Sequence, residues 1–178
     1  MNKYFNIFFE FDWNAFNDKI RSAIENAEKG YVCVVYGNVL THATKYAGFR
    51  SINNGVLVNS CDGSSIALLA GLIHRKKFST YTDPEIFAKY SKENYKQYFL
   101  GNTIENLERL KSRFTALNYN TDNFRFESLP FKNVDNFDYV SIAKDINEFS
   151  PDIIWVSLGV PKQEIFISKL YSFIEKDV

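Results

Sequence analysis

The chain has 178 residues with 21 basic and 21 acidic side chains, so its formal net charge is zero and no bulk field points to nucleic acid. A content of 46% hydrophobic and 24% charged residues is that of a globular protein, and the length fits a single domain over residues 1–178. No stretch approaches the ~18 consecutive apolar residues that span a bilayer, so any membrane contact is expected to be peripheral.

In chain order, Tyr4 to Phe11 reads as a first strand. Asp12 is placed to cap a helix over residues 13–28, where Phe16, Ile20, Ala23 and Ile24 recur at helical spacing, and Gly30 stands where a closing glycine is expected. Tyr31 to Tyr36 is a strand with a turn at Gly37-Asn38, followed by a short helix from Leu40 to Ala47. Asn53-Asn54-Gly55 signals a turn, Val56 to Val58 a short strand, and Asn59 to Gly63 a polar loop. Ser64 and Ser65 open an apolar helix that ends near the basic run His74-Arg75-Lys76-Lys77. That run reads as a solvated helix end or as a contact for phosphates or anionic headgroups.

Thr82-Asp83-Pro84-Glu85 is a helix start. Gln97 to Leu100 is a strand that turns at Gly101-Asn102-Thr103 into a helix reaching Leu117, and residues 119–137 hold a strand near Phe124 to Phe126. Val140 to Phe149 is helical. Ile153 to Val156 then forms a strand short and apolar enough to be covered on both faces. Gly159 turns the chain, Pro161 suits the first helical position, and the last helix runs through Leu170 to the chain end at Val178. Alternating strands and helices predict an α/β fold: a Rossmann-like, mostly parallel sheet with helices on both faces.

Cys33 and Cys61 form no C-x-x-C pair and read as buried free thiols, which favours a reducing cytoplasm. Met1-Asn2-Lys3-Tyr4 lacks the layout of a signal peptide. The glycine fingerprint of dinucleotide binders, the P-loop and the Gly-x-Ser-x-Gly elbow are absent, as is an Asp-x-Asp metal pair. Neither a cofactor nor a metal is expected.

Three polar loops remain, each after a strand: Tyr36-Gly37-Asn38, Asn59 to Gly63, and Ser157 to Glu164. In a parallel sheet such loops converge on one edge, where ligands bind. The start of the last helix, with Lys162, Gln163 and Glu164, should favour anions. Asp62 reads as a general base, its pKa raised by apolar walls, or as a turn or cap residue. Asn38 is open in the same way, as a turn residue or a ligand contact.

Tyr36-Gly37-Asn38, Cys61-Asp62-Gly63 and Gly159-Val160-Pro161-Lys162-Gln163-Glu164 together resemble the WecG/TagA/CpsF family of bacterial glycosyltransferases (glycosyltransferase family 26). Pro151-Asp152 and Phe99-Leu100-Gly101 match as well, so the likeness runs in order over nearly the whole chain. The resemblance implies an inverting, metal-independent transfer of an N-acetylmannosamine-type sugar from a UDP-sugar donor to a polyprenyl-diphosphate-linked acceptor. Such an enzyme of cell-surface polysaccharide synthesis works at the inner face of the cell membrane, and family cores associate into homo-oligomers.

Carried over, Asp62 is the base and Asn38 positions the sugar or the acceptor, with Tyr36 and Gly63 beside them. Gln163, with Gly159, Pro161 and Lys162, contacts the donor. Three departures stand out. Tyr36 replaces a threonine, Tyr81 a glycine, and Lys76 or Lys77 stands in for an arginine. Family members also continue beyond the last helix with a basic segment, so the resemblance implies weak donor binding and slow turnover for a chain ending at Val178. The alternative it leaves is a non-catalytic sugar-nucleotide-binding or assembly subunit.

Overall fold

The computed structural model describes residues 2–175. The chain divides into two compact units, Met1–Ile86 and Phe87–Val178. Each is α/β, and strands whose connections contain helices pair in parallel, as the alternation predicts. This architecture is consistent with a Rossmann-like fold.

The first unit opens with a hairpin where one strand was expected: β1 (Asn2–Tyr4) pairs antiparallel with β2 (Ile7–Phe9). The two turn residues, Phe5 and Asn6, both have positive φ (50° and 66°), the conformation that lets a two-residue turn follow the strand twist. A phenylalanine is a rare occupant of that region, so the sequence carries no turn signal there.

Helix α1 (Trp13–Glu25) is capped as expected, with Asp12 Oδ1 accepting from the Ala15 N–H at 2.9 Å. Its end differs from expectation. The chain closes at Ala27 (φ 50°), with Glu28 N–H donating to the Ala23 carbonyl at 2.7 Å and Ala27 N–H to Ile24 at 3.1 Å. This is the two-bond helix stop that normally uses glycine. Gly30 lies beyond it, against the Leu57 side chain. Ala27→Gly is therefore expected to raise stability by roughly 0.5–1 kcal/mol, read as a higher urea midpoint at constant slope.

β3 (Val32–Val35) pairs in parallel with β4 (Val58–Cys61). Between them lie α2 (Gly37–Lys45) and α3 (Ala47–Asn54), where a single helix from 40 to 47 was expected. The expected turn at Gly37-Asn38 is instead the first turn of α2. The strand expected at 56–58 is shifted: Asn59, Ser60 and Cys61 belong to β4 and are fully buried. The Asn59 amide nitrogen finds its partners at a distance, whereas Asn59 Oδ1 and Ser60 Oγ are buried without a hydrogen-bond partner among the described residues. Asn59 Nδ2 donates to the carbonyls of Phe8 (2.8 Å) and Asn53 (2.7 Å). Asn54 holds the hairpin from the other side, accepting from Phe8 N–H and donating to the Asn6 carbonyl. Helix α4 (Ser64–His74) follows, and α5 (Asp83–Tyr90) carries the boundary between the units.

In the second unit β5 (Gln97–Gly101) is the central strand, flanked in parallel by β6 (Phe124–Glu127) and β7 (Ile153–Ser157). Side-chain alternation sends β5 both ways. Tyr98 and Leu100 pack with Ala143 and Ile146 of α7 (Tyr139–Phe149) and with Phe166 and Leu170 of α8 (Lys162–Leu170). Phe99 packs with Leu107 and Phe114 of α6 (Ile104–Ala116) on the opposite face. Helices thus cover both faces of this sheet. β7, expected to be buried on both sides, is half-buried with Ser157 exposed, because it is an outer strand of the three. The last helix closes at Leu170, and the expected continuation over 176–178 lies outside the described residues.

Candidate active site

The parallel register of β3 and β4 sets Val35 beside Cys61, and the Asp62 N–H donates to the Val35 carbonyl at 3.0 Å. The carboxyl ends of β3 and β4, followed by Tyr36 and Asp62, therefore lie side by side within the first unit. Tyr36 precedes α2 and Gly63 precedes α4, and neither helix start has a side-chain cap. By contrast, α1, α6 and α7 are capped by Asp12, Thr103 and Asp138. Two helix starts without side-chain caps present N–H groups and positive dipole ends next to Asp62.

Asn38 is exposed in the first turn of α2, and its carbonyl lies 2.9 Å from Nδ1 of His42. Asp62 is half-buried, and its Oδ2 accepts from the Asp83 N–H at 3.3 Å, so the start of α5 steadies the carboxylate. Asp83 is a site neighbour that the sequence does not reveal, because its context reads only as a helix start. Burial of its carboxyl, and then the Asp62 charge, pushes Asp83 up to about 6, although the residue as a whole stays exposed.

Tyr81, where the family pattern has glycine, stacks on Trp13 at 4.3 Å, and its N–H donates to the Cys61 carbonyl at 2.8 Å. Its ring is a packing element of the first unit. Lys76 and Lys77 are both exposed past the end of α4.

In the second unit, Gly159 needs its positive φ of 73°, and nothing lies within 4 Å of where its Cβ would stand. Pro161 follows a cis peptide bond and precedes α8, whose first residue is Lys162, so the expected placement of the proline inside the helix is off by one. Gln163 closes the turn on itself, since its Oε1 accepts from the Gly159 N–H at 3.1 Å and its own N–H donates to the Gly159 carbonyl at 2.8 Å. The expected set of free N–H groups at this helix start is thus reduced by one. Lys162 Nζ lies 5.2 Å from the Phe131 ring and 5.1 Å from the Phe137 ring.

The turn read at Gly101-Asn102, which the sequence did not assign to the site, shares this strand edge. Asn102, at φ 65°, donates its N–H to the Ser157 carbonyl (3.1 Å) and its amide to Ser157 Oγ (3.4 Å). Gly101 before it is obligatory, because a Cβ there would stand 2.6 Å from the Ser157 carbonyl oxygen.

The model of the glycosyl transferase WecG/TagA/CpsF family matches residues 5–178. The chain belongs to this family. It is accordingly a transferase of the glycosyltransferase class, taking a sugar donor and an acceptor in polysaccharide synthesis. Comparison with curated proteins gives no match.

Among the described residues of this glycosyltransferase, no group of three or more His, Cys, Asp or Glu side chains is arranged to hold a metal ion. Cys61, one residue before Asp62, is buried along with Cys33, and both are free thiols. Burial pushes the Cys61 thiol up to about 11. Both cysteines should resist a thiol reagent at pH 8 in the native protein and react fully in urea, as a time course of labelling will read. The unfolded thiol ionises near its ordinary value of 9.0 while the folded one stays protonated to about 11. Stability from this group is therefore present below pH 9 and falls as pH rises toward 11.

Proposed function

We propose that the chain is an inverting glycosyltransferase moving an N-acetylmannosamine-type sugar from a UDP donor to a polyprenyl-diphosphate-linked acceptor without a metal. The observation that carries this reading is Asp62: a half-buried carboxylate at the carboxyl end of β4, held by the Asp83 N–H between two helix starts without side-chain caps. Asp62 takes the proton of the acceptor hydroxyl as that oxygen attacks the anomeric carbon. The bond to UDP breaks on the opposite face, so configuration inverts.

Asn38, Tyr36 and Gly63, at the starts of α2 and α4 that follow β3 and β4, are assigned to position the sugar or acceptor. In the second unit, Gly159, Pro161, Lys162 and Gln163 form the turn assigned to the donor. Open space beside Gly159 supports close approach of a ligand to the backbone there. Lys162 and the dipole of α8 supply positive charge for a departing diphosphate. The test is paired: transfer of labelled sugar to a polyprenyl-diphosphate saccharide, and UDP binding by calorimetry, for wild type and Asp62→Asn. Transfer by wild type alone, with UDP bound by both, supports the enzyme. Absence of transfer by both proteins overturns it.

A further inference from the structure

Helix α4 leaves Gly63 with no charged residue between Ser64 and Ile73. Ile66, Ala67 and Ala70 turn inward and are buried, yet Leu68, Leu69, Leu72 and Ile73 are 63%, 52%, 68% and 64% exposed. Helical geometry gathers these four on one arc of about 140°. A helix apolar all round is ordinarily covered all round, and a contiguous aliphatic face left open marks a place of interaction.

The residues just beyond the helix identify its cover. Arg75, Lys76 and Lys77 are all exposed, and none has a carboxylate within ion-pair distance among the described residues. They are not on a loose tail. Arg75 takes the left-handed conformation (φ 53°), and the Lys76 N–H closes on the Gly71 carbonyl at 3.0 Å. Gly71 permits this, since a Cβ there would stand 2.6 Å from the Lys76 carbonyl oxygen. An aliphatic face thus ends in a fixed cluster of cations, with no carboxylate along the helix to neutralise the same cluster on a second copy.

We propose that Leu68, Leu69, Leu72 and Ile73, with Arg75, Lys76 and Lys77, form a docking surface for an anionic phospholipid bilayer. The aliphatic side chains enter the acyl boundary while the cations meet the headgroups. With 11 residues, α4 is about 16 Å long and lies along the bilayer without crossing it. Docking stands apart from the transfer chemistry, and its test needs no turnover.

The protein is sedimented with phosphatidylcholine vesicles and with vesicles that also contain phosphatidylglycerol, at low and high salt. Wild type should bind only the anionic vesicles and be released by salt. Neutralising Arg75, Lys76 and Lys77 together to Gln should weaken partitioning on the order of a hundredfold, at about fivefold per cation. Leu72→Gln with Ile73→Gln should weaken it too. Both changes lie at exposed positions, and unchanged thermal melting confirms the fold. Binding that ignores lipid charge, or no binding to either vesicle, overturns the proposal. So does a concentration-dependent dimer that Leu72→Gln with Ile73→Gln abolishes without any vesicle binding, since the face would then belong to a second copy.

Discussion

Asp62→Asn is expected to lower sugar transfer by a factor of roughly 10² to 10⁴, the usual contribution of a positioned general base, while UDP affinity stays at the wild-type level. The substitution keeps the shape of the side chain and an oxygen to accept the Asp83 N–H now bound at 3.3 Å. It removes the negative charge and with it the capacity to take a proton. Asp62 stands next to Cys61, the last residue of β4, whose ladder with β3 fixes the backbone on that side. A fall in transfer therefore reports chemistry rather than displacement. An asparagine variant that transfers as fast as wild type would sink the assignment of Asp62 as the base.

The second large effect lies in the core of the second unit. Phe99→Ala should cost about 3–5 kcal/mol, a large share of the roughly 5–15 kcal/mol that holds a domain folded. Phe99 is 2% exposed, and its ring stacks on Phe126 at 4.9 Å. Phe124 and Phe114 lie edge-on or tilted to it at 5.2 and 5.3 Å. The cavity left by its removal is walled by stiff rings and by β5, whose five residues are all buried, so little can relax into it. Trp155 reports the same region, since its Nε1 donates to Gln97 Oε1 at 2.8 Å while Gln97 Nε2 donates to the Tyr90 carbonyl at 3.0 Å. A urea melt followed by tryptophan fluorescence should show the midpoint fall. Phe131→Ala, at a fully exposed ring, should move it by no more than about 0.5 kcal/mol. Equal effects at the two positions would contradict this picture of the core.

The legible part of the sequence is whatever a residue announces through its immediate neighbours. Asp12 announces a cap, Gln97 to Leu100 a buried strand, and Gly159 a turn. The helix start at Ser64 was legible for the same reason, whereas Gly37-Asn38, read as a turn, open α2. The misplaced elements depend on partners far along the chain. Asn59, Ser60 and Cys61 read as a loop because nothing local shows that the Phe8 carbonyl, 51 positions away, would take up the Asn59 amide. Ala27 and Phe5 hold left-handed conformations that their side chains do not advertise. Asp83 was visible only as a helix start, since its nearness to Asp62 arises from the path of residues 75–82.

The asparagine seam that binds the opening hairpin has a consequence of another kind. The contacts of Asn54 with Phe8 and Asn6, and of Asn59 with the carbonyls of Phe8 and Asn53, join neutral amides to main-chain groups, and none of them can gain or lose a proton. Acid and salt, which loosen most surface attachments, therefore have no direct grip on this one. With Asp62, the proposed base, directly after β4 in the same unit, local changes of acidity can be met without loosening the hold of β4 on the hairpin.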